Sequence, residues 1–104
     1  MLKKFQDMGK LLKQAQEMKG AMKKVQEELR KTIIPISELE GKIKVQINGE
    51  LEVISVDIDP SLLNPESKDA LQNGVKKAFS IGIKKAKDIA TTKLSAVSGG
   101  LLPG

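Results

Sequence analysis

The stretch Lys42-Ile43-Lys44-Val45-Gln46-Ile47-Asn48-Gly49-Glu50-Leu51-Glu52-Val53 decides the fold. Polar and apolar residues alternate from Lys42 to Ile47, as in a strand with one face buried and the other in water. Asn48-Gly49 is the dipeptide favoured in a type I′ hairpin turn, and Glu50-Leu51-Glu52-Val53 takes the alternation up again. The segment is therefore expected to form a β-hairpin. At Val53-Ile54 the phase slips, because the apolar positions move from 51 and 53 to 54, 56 and 58, as one inserted bulge residue would cause. Upstream, Thr32-Ile33-Ile34 is rich in β-branched residues, but Pro35 cannot donate a ladder hydrogen bond. This predicts a short edge strand over 32–36, and so a three-stranded antiparallel sheet.

Helical patterns flank the sheet. Leu2, Phe5, Met8, Leu12, Ala15, Met18, Met22, Val25 and Leu29 recur at steps of three and four, with Lys, Gln and Glu filling the other faces. From Met8 to Leu29 the mean spacing is 3.5 residues, the coiled-coil period. Such a helix is roughly 40 Å long, more than a small domain is wide, and must protrude or lie along a partner. Gly9 and Gly20 weaken it locally, or let another backbone approach closely. Downstream, Asn64 is the expected N-cap of a second helix, Pro65 suits its first position and Glu66 suits the positive end of its dipole. This helix is expected to run to about Val97 with a stripe of Leu71, Val75, Ala78, Phe79, Gly82, Ile83, Ala86, Ile89 and Ala90, its small residues packing on the first helix. Ser98-Gly99-Gly100-Leu101-Leu102-Pro103-Gly104 is expected to be a mobile tail. The fold class is α+β: one domain over 1–97, then a tail over 98–104.

The chain has 104 residues, 39% apolar and 30% charged, an ordinary composition for one folded domain. His, Cys, Trp and Tyr are absent, which removes imidazole and thiolate metal ligands, cysteine nucleophiles and the commonest general base. No cofactor, metal or small-molecule substrate is expected. Asp57 and Asp59 could be offered as paired carboxylates, but they lie at i and i+2 where a strand ends in a proline turn, and a solvated edge explains them better. No stretch resembles a secretory signal or a membrane span, so the expected location is the cytoplasm, with no membrane partner.

Charge is unevenly placed. Residues 1–31 carry nine Lys/Arg and four Asp/Glu, residues 32–65 two and six, and residues 66–104 seven and three. The helices are basic and the sheet is acidic, so a polyanion would be met by the helices. Both helices join the sheet at one end, which places Lys3, Lys4 and Lys10 at a shared tip with Lys84, Lys85, Lys87 and Lys93. Lys outnumbers Arg seventeen to one, and lysine acts as a point charge rather than a bidentate reader of bases. The expectation is sequence-tolerant binding of duplex DNA through phosphates. The two aromatic residues, Phe5 and Phe79, lie on apolar seams and offer no platform for stacking single strands. Met8, Met18 and Met22 likewise read as packing residues. A lone protruding helical hairpin on a small sheet buries too little surface, so a symmetric dimer is the economical arrangement. The competing reading is a helical adaptor whose 3.5-residue seam docks another protein's helix while the lysines keep it soluble.

Ile47-Asn48-Gly49, Val56-Asp57-Ile58-Asp59-Pro60-Ser61-Leu62-Leu63, Leu12-Lys13-Gln14-Ala15-Gln16-Glu17-Met18 and Leu102-Pro103-Gly104 together resemble the YbaB/EbfC family of bacterial nucleoid-associated proteins. The resemblance spans nearly the whole chain. It implies a homodimeric, tweezer-shaped protein whose helices contact double-stranded DNA, located in the nucleoid and connected with gene regulation. Where the family usually has a Gly/Ser-rich stretch before the hairpin, this chain has Ile36-Ser37-Glu38-Leu39-Glu40-Gly41. The candidate contacts, chosen from charge and position on the helices, are Lys3, Lys4, Lys10, Lys13, Lys84, Lys85, Lys87 and Lys93.

Overall fold

The computed structural model describes the backbone of residues 2–101 and the side chains of residues 7–97. Helix α1 spans Leu2–Lys31, strands β1, β2 and β3 span Ile33–Glu38, Ile43–Asn48 and Val53–Ile58, and helix α2 spans Lys68–Leu101. Two short 3-10 turns, Pro60–Leu62 and Pro65–Ser67, join β3 to α2. The sheet is antiparallel in the order β1-β2-β3, as the alternation predicts. β1 starts and ends later than the expected 32–36, and Pro35 sits on this edge strand. The bulge lies where the phase slip put it: Ile47 pairs with Val53 and Gln46 with Ser55, leaving Ile54 as the additional residue.

The hairpin turn differs from the expected type. A type I′ turn needs positive φ at both central residues, but neither Asn48 nor Gly49 has it; Leu51 does, at 66°. Asn48 ends β2, its carbonyl accepts from the Leu51 N–H at 3.0 Å and its own N–H donates to Glu52 O at 3.0 Å. The turn is longer because Asn48 and Gly49 are engaged with α1. The Gly49 N–H donates to Leu29 O at 2.8 Å and to Thr32 O at 3.1 Å, and Asn48 Nδ2 donates to Arg30 O at 3.2 Å. The bonds to Leu29 O and Arg30 O satisfy carbonyls that every helix leaves unpaired at its C-terminus, and the bond to Thr32 O lies just past it. A Cβ on Gly49 would stand 2.8 Å from Leu29 O, so only glycine permits this approach. The β1–β2 connection, within the stretch where the chain departs from the family pattern, places Leu39, Glu40 and Gly41 in succession at positive φ.

The core is formed by Ile34 and Ile36 of β1, Ile43, Val45 and Ile47 of β2, Leu62, and Ala78 and Ala86 of α2. Gly74, Ala78, Gly82 and Ala86 recur every four residues and so share one face of α2. A Cβ on Gly82 would come within 2.7 Å of Ile36 Cδ1 and 2.9 Å of Ile47 Cδ1. The small residues of α2 therefore admit the sheet's isoleucines rather than the first helix, which corrects the sequence expectation. α2 covers β1 and β2 and stops short of β3. Val45 is fully buried, whereas Val56, its cross-strand partner on the same face, is 47% exposed.

The expected cap falls one turn earlier than α2: Asn64 Oδ1 accepts the Ser67 N–H at 2.8 Å and Pro65 follows, capping the 3-10 turn Pro65–Ser67 that leads into α2 at Lys68. At its other end the helix continues to Leu101 instead of stopping near Val97. Gly99 and Gly100 lower helix propensity without forbidding it, and Pro103 is the first residue past them that cannot continue a helix. Residues 102–104 of the expected tail lie outside the described residues.

The molecule measures 76 × 22 × 16 Å with a radius of gyration of 21.1 Å. A compact chain of this length would have about 13 Å. The difference is the helices, which run well past the sheet.

Gly49→Ala is expected to destabilise the protein by about 1–3 kcal/mol, because the new methyl group must push α1 away from the hairpin. Gly20→Ala, at a site in α1 with open space around it, should raise stability by roughly 0.5–1 kcal/mol. Urea unfolding of the two variants checks both signs.

Candidate nucleic-acid interface

α1 and α2 run antiparallel and meet over only part of their length. Val25 is buried, and Ala21, Lys24, Val25 and Glu28 of α1 face Lys93, Ala96 and Val97 of α2 across an open cleft of about 350 Å³. Lys93 Nζ donates to Glu28 Oε2 at 3.1 Å. Residues 7–20 of α1 are all exposed. This arm carries Lys10, Lys13 and Lys19, each exposed to solvent.

The apolar seam read from the sequence is split by this arrangement. Val25 and Leu29 are buried at the sheet-proximal end, whereas Met8, Leu12 and Met18 are 60%, 65% and 42% exposed. Leu11, outside the expected seam, is equally exposed.

The expected shared tip does not form. Lys93 lies opposite Glu28, eighteen residues along α1 from Lys10, which is roughly 27 Å of helix. Lys84, Lys85 and Lys87 lie further back still, toward the stretch of α2 that covers the sheet. The miss has a geometric cause. α2 devotes its first half to the sheet, through Gly74, Ala78, Gly82 and Ala86, so only its second half is left to reach α1. The predicted lysines thus fall into two groups, Lys10 and Lys13 on the arm and Lys84, Lys85 and Lys87 on α2, with Lys93 between them in its ion pair. The side chains of Lys3 and Lys4 lie outside the described residues. Lys76, Lys84 and Lys87 share the outer face of α2, at i, i+8 and i+11. Lys77 stands 3.9 Å from Glu38, a loose pair.

The profile of the YbaB/EbfC DNA-binding family matches residues 4–101. A nucleoid-associated protein of Desulfotalea psychrophila is 37% identical over 95 residues, covering 91% of this chain and 90% of its own. One of Pelotomaculum thermopropionicum is 34% identical over 99 residues, covering 94% of each chain. The crystal structure of an uncharacterized protein of Helicobacter pylori superposes with a TM-score of 0.73 at 30% identity, over 85% of this chain and 89% of that one. The chain belongs to the YbaB/EbfC DNA-binding family.

In this YbaB/EbfC chain the sequence reading omitted Lys19, Lys23 and Lys24, all exposed on α1. Their signal was the recurrence of lysine off the apolar seam, which does not stop at Lys13. The two carboxylates weighed as a catalytic pair have separate places. Asp57 is exposed on β3, opposite Lys44. Asp59 Oδ1 accepts the Ser61 N–H at 2.8 Å and caps the first 3-10 turn. That backbone hydrogen bond holds the Asp59 carboxyl below its ordinary range, an ionised cap rather than a proton donor. Among the described residues no helix is long and apolar enough to cross a membrane.

The Lys93–Glu28 pair is half exposed, so Glu28→Gln is expected to change stability by no more than about 1 kcal/mol. Val25→Asp, which places a charge beneath the α1–α2 contact, should cost roughly 3 kcal/mol or more. Denaturant midpoints decide between an electrostatic and an apolar hold on the arm.

Proposed function

We propose that this protein binds double-stranded DNA with little regard to base sequence, through lysine contacts to phosphates along α1 and α2, as a homodimer in the nucleoid. The observation that carries the reading is the exposed, lysine-bearing arm of α1, which stands clear of the acidic sheet. A polyanion approaching the molecule meets that arm and the outer face of α2 before any carboxylate of the strands. The family and the nucleoid-associated relatives agree with this choice of partner. The preponderance of lysine favours phosphate contact over base reading. We read the chain as a binding protein, not an enzyme.

A salt titration against unrelated duplexes tests the reading. Each phosphate neutralised contributes about −0.9 to the slope of log affinity against log salt. Lys10→Glu with Lys13→Glu should weaken binding and flatten that slope, and Lys42→Glu with Lys44→Glu on the sheet should do so far less. Equal losses would make the field of the whole molecule responsible, and a salt-independent affinity would favour the adaptor reading, for which the exposed α1 seam is the supporting feature.

The dimer is supported by the apolar face that α2 leaves open on β3, where Val53, Ile54 and Val56 are about half exposed. Val56→Asp should yield a folded monomer, since about half of that side chain already stands in water within its own chain. Val45→Asp should unfold the protein, because Val45 is fully buried under α2. Light scattering with circular dichroism separates the outcomes, and a Val56→Asp variant that remains a dimer would place the interface elsewhere.

A further inference from the structure

The Asn48-Gly49 pair that receives α1 is also a chemically reactive sequence. Asparagine is thermally labile, and a following glycine has no side chain to hinder attack by its nitrogen on the asparagine amide. Asn48 is 1% exposed and every polar atom of its side chain is held. Oδ1 accepts the N–H groups of Glu50 at 3.0 Å and Glu52 at 2.9 Å. Two backbone donors on one amide oxygen are what stabilises the negative charge of a tetrahedral centre forming at its carbon. Nδ2, the group that would leave, donates to Glu52 Oε1 at 2.8 Å. The electrophile and the leaving group are thus positioned within the hairpin itself. The nucleophile is not free: the Gly49 N–H is committed to Leu29 O in the last turn of α1 and to Thr32 O in the link between α1 and β1.

From this arrangement we infer that Asn48 is a self-modification site whose reaction is gated by the docking of α1. When the end of α1 lifts from the hairpin and draws the Thr32 link with it, Gly49 N is released while the Glu50 and Glu52 donors remain. A bond then forms between Gly49 N and Asn48 Cγ, the Cγ–Nδ2 bond breaks, and the proton from Gly49 N leaves through solvent with Nδ2 as ammonia. Water opens the resulting succinimide at either carbonyl, giving an aspartyl or isoaspartyl residue. The net change is one water consumed and one ammonia released. The product cannot donate to Arg30 O, and it sets a second carboxylate against Glu52, so α1 cannot dock again in the same way. The reaction is a one-way release of the arm.

The chain carries its own control. Asn73-Gly74 repeats the dipeptide within α2, where the Gly74 N–H belongs to the helical ladder. The protein, its Leu29→Ala and Val25→Ala variants, and the urea-unfolded chain are incubated in neutral buffer, and peptide mass mapping with isoaspartate detection follows both asparagines. In the Leu29→Ala variant Asn48 should react at least about ten-fold faster than in the unaltered protein, because loss of buried packing raises the population of undocked α1. Asn73 should be unchanged there and should accelerate only in urea. If Leu29→Ala unfolds, accelerated Asn73 will reveal it, and Val25→Ala, which loosens α1 away from the hairpin, supplies the comparison. Asn48 reacting no faster in the folded variant, or as fast in the unaltered protein as in urea, overturns the gate. Asn48→Asp should lose amide-exchange protection at Gly49 while β2 stays protected, and retained protection at that amide overturns the release.

Discussion

The hydrogen bonds that Asn48 and Gly49 make to the end of α1 fix the rest of the molecule. A helix of 30 residues touching a small sheet only at its C-terminus could leave it at many angles. Two donors, Gly49 N and Asn48 Nδ2, take carbonyls of the last helical turn, and the absent side chain of Gly49 lets Leu29 settle against the hairpin. Buried donors and acceptors tolerate few arrangements, because each one left unpaired costs about 1–3 kcal/mol. The direction of the arm is therefore set by backbone hydrogen bonding at the hairpin. The apolar contact of Val25 with α2 then supports the arm along its second half, and residues 7–20 continue past that support.

The strands are legible in the sequence because their signals are local. Alternation from Lys42 to Ile47 requires only that one face be buried, and the slip at Ile54 requires only that the alternation resume out of phase. The Asn64-Pro65 cap is equally local. The hairpin turn was misread for the opposite reason. Asn48-Gly49 carries the signature of a tight turn, yet its conformation is set by Leu29, Arg30 and Thr32, to which no short window around the dipeptide points. The stripe of Gly74, Ala78, Gly82 and Ala86 was visible as small residues at helical spacing. Whether they admit a helix or a sheet is a tertiary matter, decided by the isoleucines that reach them.

That one ambiguity carried through to the candidate site. Assigning the small residues to a helix–helix contact implies that α1 and α2 pair from end to end, which brings all the basic residues to one tip. Assigning them to the sheet leaves α2 shortened as a partner, moves Lys93 back to Glu28, and isolates the arm. Composition identified lysines on helices as the basic surface, and the structure agrees that Lys10, Lys13, Lys84, Lys85 and Lys87 are exposed. The grouping of those lysines was beyond sequence reasoning, because it depends on which half of a 34-residue helix is already occupied.

The isolation of the arm has an energetic side. α1 has no acidic residue in its first turn, and Lys10 with Lys13 and Lys19 with Lys23 are like charges at i, i+3 and i, i+4, each pair disfavouring the helix by about 0.2–0.5 kcal/mol, which Asp7 with Lys10 and Lys13 with Glu17 offset by similar amounts. Gly9 and Gly20 each add roughly 1 kcal/mol against it. Without tertiary packing, a stretch of this length holds its helix only marginally. Most natural helices offset such terms by burying an apolar face, and here Met8, Leu11 and Leu12 remain in water. A phosphate backbone lying along the lysines would reverse the sign of the repulsive terms, so that the charges weakening the free arm would stabilise the bound one. Under the proposed function, binding and helix stability are then coupled, and lysines on an unsupported helix serve both.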